Sequence, residues 1–151
     1  RTALNEVRKM VAHMRGIRLK EEIVRVKQIL KAAQIELVSE PDFTLSNVSL
    51  LTENILSMCL KEAVTNIVKH SGATTCHVSF EQTPNESIIV VRDNGTASLL
   101  ENYFTKGSGL IGMRERLEFV NGSLEVTALE GTTLVIKVPN VVRISDREEL
   151  K

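Results

Sequence analysis

From about Ser49 to Ser71 the sequence keeps one helical pattern, through "LTENILSMCLKEAVTNIVKH", and Gly72 stops it. A helix in a globular protein is stabilised mainly by burying an apolar face, so one this long needs a broad apolar surface to lie on. The sequence predicts that surface. "TTCHVSFEQ" sets Cys76, Val78 and Phe80 on one face of a strand, and "SIIVVRDNG" has the unbroken apolar run of a central strand buried on both faces. "TPNE" joins the two as a hairpin. "SLEVTA" and "TTLVIKVP" form a second pair across a turn at Glu130-Gly131, and "QIELVSE" alternates as a short strand before the loop "PDFTLSN". Two more helices are expected, from about Leu19 to Ala33 with Ile23, Val26, Ile29, Leu30 and Ala33 inward, and from about Leu110 to Val120, closing at Asn121-Gly122. The expected fold class is α+β, a sandwich of about five strands in a mixed sheet with three helices on one face.

Composition narrows the function. At 151 residues, 42% hydrophobic and 25% charged, the chain is long enough for one globular domain. A net charge of zero, four Phe, one Tyr and no Trp argue against nucleic-acid binding. Cys59 and Cys76 lie in apolar segments without metal-ligand spacing, which suggests buried, reduced thiols in a cytoplasmic setting. No run approaches the roughly 18 apolar residues of a membrane span, and "RTALNEVRKM" is not a signal peptide. The missing initiating Met suggests an excised piece of a longer protein.

Ahead of the domain, Leu4, Val7, Val11 and Met14 repeat at coiled-coil spacing, so residues 1–15 read as the end of a bundle helix that packs on a neighbour, such as a second copy. Residues 16–18 are then a linker broken by Gly16, 19–140 the main domain, and 141–151 a charged tail ending "SDREELK".

The long helix carries a polar stripe. Glu62, Asn66 and Lys69 fall within about 60° of one another and His70 about 40° beyond Asn66, at 100° per residue. Followed upstream, the same direction reaches Cys59, Met58 and Ile55, so the stripe is polar only over its last two turns. On these residues alone, a solvated face and a pocket wall stand about level. "KGSGLIGMRER" places Gly107, Gly109 and Gly112 with GxGxxG spacing at a helix entrance, where free N–H groups and the positive dipole end can hold phosphate. No strand leads directly into it and no GK[ST] follows, so neither a dinucleotide fold nor a P-loop fits. Asp93 leaves the end of a strand before Asn94-Gly95, where it can accept a hydrogen bond from an amino group or simply start a turn.

In this order, "EAVTNIVKH", a strand ending "DNG", "GSGLIGMRER" and "GTTLVIKVP" resemble the ATP-binding domain of sensor histidine kinases, with the GHKL-type fold shared by type II topoisomerases and Hsp90-like ATPases. The likeness spans roughly residues 20 to 140, and "GLIGMRERL" is similar to the subgroup with short ATP lids, among them membrane thermosensors. The resemblance implies a protein histidine kinase with ATP and Mg²⁺ as cofactors. By it Asn66 is the Mg²⁺ ligand, Glu62 the catalytic base, and Lys69 and His70 face phosphate or ribose oxygens. Asp93 accepts from the adenine amine beside Gly95, and Thr132 supports that contact. Gly107, Gly109, Leu110 and Gly112 approach the phosphates, Lys106 adds charge, and Met113 packs beside the base.

The implied partners are the phosphoacceptor-histidine bundle of the same protein, a response regulator and a second copy of the full-length chain, with no nucleic acid and no membrane contact by this segment. The implied location is a cytoplasmic domain of a membrane protein. The sequence departs from the family at Ala97, where a second glycine is usual, and none of His13, His70 and His77 matches a phosphoacceptor. The segment alone is therefore not expected to autophosphorylate. An anti-sigma-factor-type serine kinase and a non-catalytic dimerisation module are the alternatives of the same fold.

Overall fold

A computed structural model describes residues 18–38, 48–96, 109–128 and 130–140. The expected bundle helix at 1–15, the tail at 141–151, Ala97, Lys106 and Gly107 lie outside the described residues.

Among the described residues there are three α-helices and five strands: α1 (Leu19–Ala32), β1 (Glu36–Leu37), α2 (Leu50–Asn66), β2 (Thr75–Gln82), β3 (Glu86–Asp93), α3 (Leu110–Glu118), β4 (Ser123–Ala128) and β5 (Thr132–Pro139). The sheet runs β1-β2-β3-β5-β4, with β1 parallel to β2 and the other pairs antiparallel. This is the expected mixed α+β sandwich.

The register sorts the helix-covered face into rows. Val78, Val91, Leu134 and Val126 form one row, and Phe80, Ile89, Ile136 and Leu124 the next. Against these pack Leu56, Leu60 and Val64 of α2, Leu110, Met113 and Leu117 of α3, and Val26 and Leu30 of α1. The rows at the two ends are polar. At one end stand Gln82 and Ser87, next to Val138, and at the other Cys76 and Asp93, with Thr132 next along β5.

β3 is central, but it is not buried on both faces as expected. Ser87, Ile89, Val91 and Asp93 are buried, whereas Ile88 and Val90 are half-buried and Arg92 is exposed. The reason is topological: antiparallel hairpins need no crossover helix, so the second face of the sheet can meet solvent. The apolar run reflects a small outer patch, in which Val90 pairs with Val135.

α2 starts at Ser49, whose Oγ accepts the Thr52 N–H at 3.1 Å. It ends in a wider π turn over Ile67–Ser71, closed by Gly72 in the left-handed region at φ 66°. α1 is capped from outside its own sequence. Glu53, buried in the first turn of α2, accepts the Leu19 N–H at 2.9 Å and the Arg18 guanidinium at 2.8 Å. Burial would push its carboxyl up, but these two donors outweigh it and hold Glu53 below its ordinary value.

Candidate nucleotide site at the polar edge of the core

The site forms where the apolar rows give way to Cys76, Asp93 and Thr132. Asp93 is 3% exposed. Its Oδ1 accepts the Gly95 N–H at 2.7 Å, and its carboxylate also takes the Thr132 backbone N–H. Burial pushes the Asp93 carboxyl above its ordinary value against the pull of both donors. Gly131 makes this approach possible: it sits at φ 111°, and any Cβ there would overlap the Asp93 carbonyl. The Thr132 hydroxyl, buried at the start of β5, has no hydrogen-bond partner among the described residues. Cys59 and Cys76 are free and buried, and desolvation pushes both thiols up to about 12, so they are neutral walls.

Beyond Asp93 the chain is stitched to the end of α2. Asn94 Oδ1 accepts the Thr74 and Thr75 N–H groups at 2.9 and 3.0 Å, and the Thr96 N–H donates to the Ser71 carbonyl at 3.1 Å. A Cβ on Gly95 would overlap that same carbonyl, so glycine is required by close approach to the π turn. Sequence reading missed Ser71, Thr74 and Asn94, because each finds its partners some twenty residues away or through the π turn itself.

On α2, Asn66 is 2% exposed and its Nδ2 has no partner among the described residues. Glu62, one turn earlier, is half-buried. Lys69 is exposed and His70 half-buried, both within the π turn. A 100° spacing describes the stripe only as far as Asn66, since an i→i+5 turn advances less per residue.

Facing α2 is the entrance to α3. Gly109 is its N-cap, at φ 87°, with no side-chain cap bond. A Cβ on Gly109 would overlap the Glu62 carboxylate, so Glu62 lies directly against this turn. Gly112 was expected to open a path for phosphate, but a Cβ there would meet Nη1 of Arg116 at 3.0 Å, so that space holds a guanidinium. Leu110 and Met113, expected at the nucleotide, are fully buried members of the core. The structure thus gathers Glu62 and Gly109, and separately Asp93, Gly95 and Thr132, around one end of the sheet, with Asn66 on the helix between.

Residues 52–142 match the family described as histidine kinase-, DNA gyrase B-, and HSP90-like ATPase. The sensor histidine kinase DesK of Bacillus subtilis is 58% identical over 140 residues, which cover 93% of this chain and 38% of that protein. The sensor histidine kinase YvfT of the same organism is 42% identical, over 92% of this chain and 37% of its own length. The chain thus spans under two fifths of the length of these relatives. Among solved structures, the Acinetobacter baumannii histidine kinase AdeS superposes with a TM-score of 0.65 at 18% identity, covering 92% of this chain and 78% of that one, a likeness of fold. With the family match covering more than half of its length, the chain belongs to the histidine kinase-, DNA gyrase B- and HSP90-like ATPase family.

Proposed function

We propose that this chain is the ATP-binding, phosphoryl-donating part of a two-component sensor histidine kinase. In this reading residues 1–15 end a dimerisation helix, 16–18 link it to the catalytic domain at 19–140, and the γ-phosphoryl group passes to a histidine outside the segment and on to a response-regulator aspartate. The observation that carries the reading is made at one end of the core, where the buried Asp93 carboxylate stands together with two buried polar atoms, the Thr132 hydroxyl and Asn66 Nδ2, that no described residue satisfies. Buried polar groups ordinarily find partners, and unpaired ones cost about 1–3 kcal/mol each, so such a set calls for a ligand.

Adenine fits Asp93, whose carboxylate accepts from an exocyclic amine and repels the carbonyl that guanine carries there. Thr132 offers a hydroxyl beside it. The phosphates then extend toward the N-terminus of α3, where Gly109 brings backbone close and the helix dipole favours negative charge. No group of three or more His, Cys, Asp or Glu among the described residues could hold a metal ion. Mg²⁺ keeps waters and phosphate oxygens as ligands and would ask one oxygen of the protein, Oδ1 of Asn66, on the amide whose buried Nδ2 has no partner among the described residues. When bound, the ion neutralises charge on the β- and γ-phosphates.

Glu62 lies at the same entrance and is the group placed to take the proton of an incoming imidazole. Catalysis then rests mostly on positioning and electrostatics. The relatives' names, sensor histidine kinases, support a sensing role for the full-length protein; a dimer, a response-regulator partner and a membrane location are parts of the same proposal. The test is phosphotransfer from γ-labelled ATP to a separately supplied histidine-bearing bundle. Label on histidine that is lost with Glu62→Ala supports the reading; label on serine, or none, contradicts it.

A further inference from the structure

Gly109 and Gly112 lie three residues apart at the start of α3, and charged side chains of opposite sign fill the space beside each, Glu62 from α2 and Arg116 from α3 itself. The Glu62 carboxylate lies where a Gly109 Cβ would be, and Nη1 of Arg116 would stand 3.0 Å from a Gly112 Cβ. Helix side chains lean toward the N-terminus, so Arg116, one turn beyond Gly112, folds back along this groove toward the α3 entrance. Carboxylate and guanidinium thus occupy neighbouring turns of one strip, and both act on the buried Cys59 between the helices. No described residue holds either one in an ion pair.

We infer that Arg116 is a positioning residue for Glu62. Polyphosphate arriving at the α3 N-terminus takes the place beside Gly109 where the Glu62 carboxylate now lies, and Arg116, one turn along the groove, receives the displaced carboxylate. The inference rests on the ATP reading and deepens it: Glu62 competes with the phosphates, and Arg116 relieves the competition. A side chain at Gly112 would shift the guanidinium from the position it holds here.

The signs can be tested by titration calorimetry with ATP and Mg²⁺ on the whole chain. Glu62→Gln is expected to bind about fivefold tighter, because the competing charge is gone, and Arg116→Gln about fivefold weaker, because the carboxylate has nowhere to go. The double variant is expected to match Glu62→Gln, since Arg116 acts only through Glu62. Gly112→Ala, at a position with no positive φ and opposed only by the tip of a flexible side chain, is expected to fold and to weaken binding as Arg116→Gln does. It gives the answer even if Arg116→Gln fails to fold.

Equal weakening by Arg116→Gln with and without the Glu62 carboxylate would mean direct contact with phosphate and overturn the inference. No effect of Arg116→Gln and Gly112→Ala would overturn it too, as would weaker binding by Glu62→Gln. Asp93→Asn separates the two levels. If the wild type binds and Asp93→Asn does not, a failed cycle sinks only the Arg116 role; a wild type that binds no ATP sinks both.

Discussion

The two ends of the same sheet bury polar side chains in opposite ways. At the Ser87 end every group is answered: Ser87 Oγ donates to Asn140 Oδ1 at 2.8 Å, Asn140 Nδ2 donates to the Thr83 carbonyl at 2.7 Å, and Gln82 Nε2 reaches Ser87 Oγ at 3.0 Å. At the Asp93 end, among the described residues, the Thr132 hydroxyl has no partner, and neither does the Asn66 Nδ2 on the helix beside it, although both are buried. Burial is alike; satisfaction is not. The closed network pins the β2–β3 hairpin to the end of β5, and the open one holds its capacity for a ligand.

The sharpest way to break this comparison is Asp93→Asn. At the open end it should cost roughly 100-fold in ATP affinity, the loss of a charge-assisted hydrogen bond of about 3 kcal/mol. The nucleotide-free protein should melt no lower than the wild type, because burial already pushes the Asp93 carboxyl up, so its charge opposes folding. Calorimetry and thermal melting measure the two effects. At the closed end, Asn140→Ala should do the reverse. It takes away the acceptor of the Ser87 hydroxyl proton and the Asn140 donor to the Thr83 carbonyl, leaving Ser87 Oγ only its bond from Gln82, so the denaturation midpoint should report a loss of about 2 kcal/mol, while the folded fraction binds ATP as before.

Thr132→Val sharpens the contrast with a smaller change. It removes a buried hydroxyl that no described residue satisfies, so the free protein should gain about 1 kcal/mol as ATP affinity falls severalfold. Equal losses of stability at Thr132 and Asn140 would erase the distinction between the two ends.

Glu22 tests where the comparison stops. It is 1% exposed in α1, with Oε2 unpartnered among the described residues and Arg25 Nη1 3.6 Å from Oε1. Burial raises its carboxyl above the ordinary value despite Arg25 and Lys61. The folded state therefore holds this proton at pH values where the unfolded chain has lost it, so stability falls as pH rises from the ordinary carboxylate range through the folded pKa. Glu22→Gln should remove that slope and stabilise the protein at neutral pH by about 1 kcal/mol, with ATP affinity unchanged; chemical denaturation across pH checks it. Asn54 is buried with both side-chain polar atoms unpartnered among the described residues, and nothing in this arrangement explains it.

Much of this was legible in the sequence because it depends on local pattern. The α2 periodicity, the Gly72 stop, the β2–β3 hairpin and Asp93 at a strand end are properties of neighbouring residues. What stayed hidden depends on pairs brought together by folding. "GSGLIGMRER" suggests a phosphate-binding entrance, but nothing in it says that Gly112 makes room for Arg116 or that Glu62 rests against Gly109. Glu53 reads as a first-turn acid of α2, although it caps α1 from 34 residues away. The π turn at Ile67–Ser71 is set by tertiary stitching to Gly95 and Thr96, and so escaped a periodicity read at α-helical spacing. The apolar run of β3 reports burial on one face and a patch on the other, which composition cannot separate.

The central claim is that the open polar end of the sheet is a nucleotide site. Titration of the chain with ATP in the presence of Mg²⁺, alongside Asp93→Asn, tests it most directly. The account expects saturable binding by the wild type and its near-complete loss in the variant; no binding at millimolar ATP, or equal affinity in the two, would contradict it.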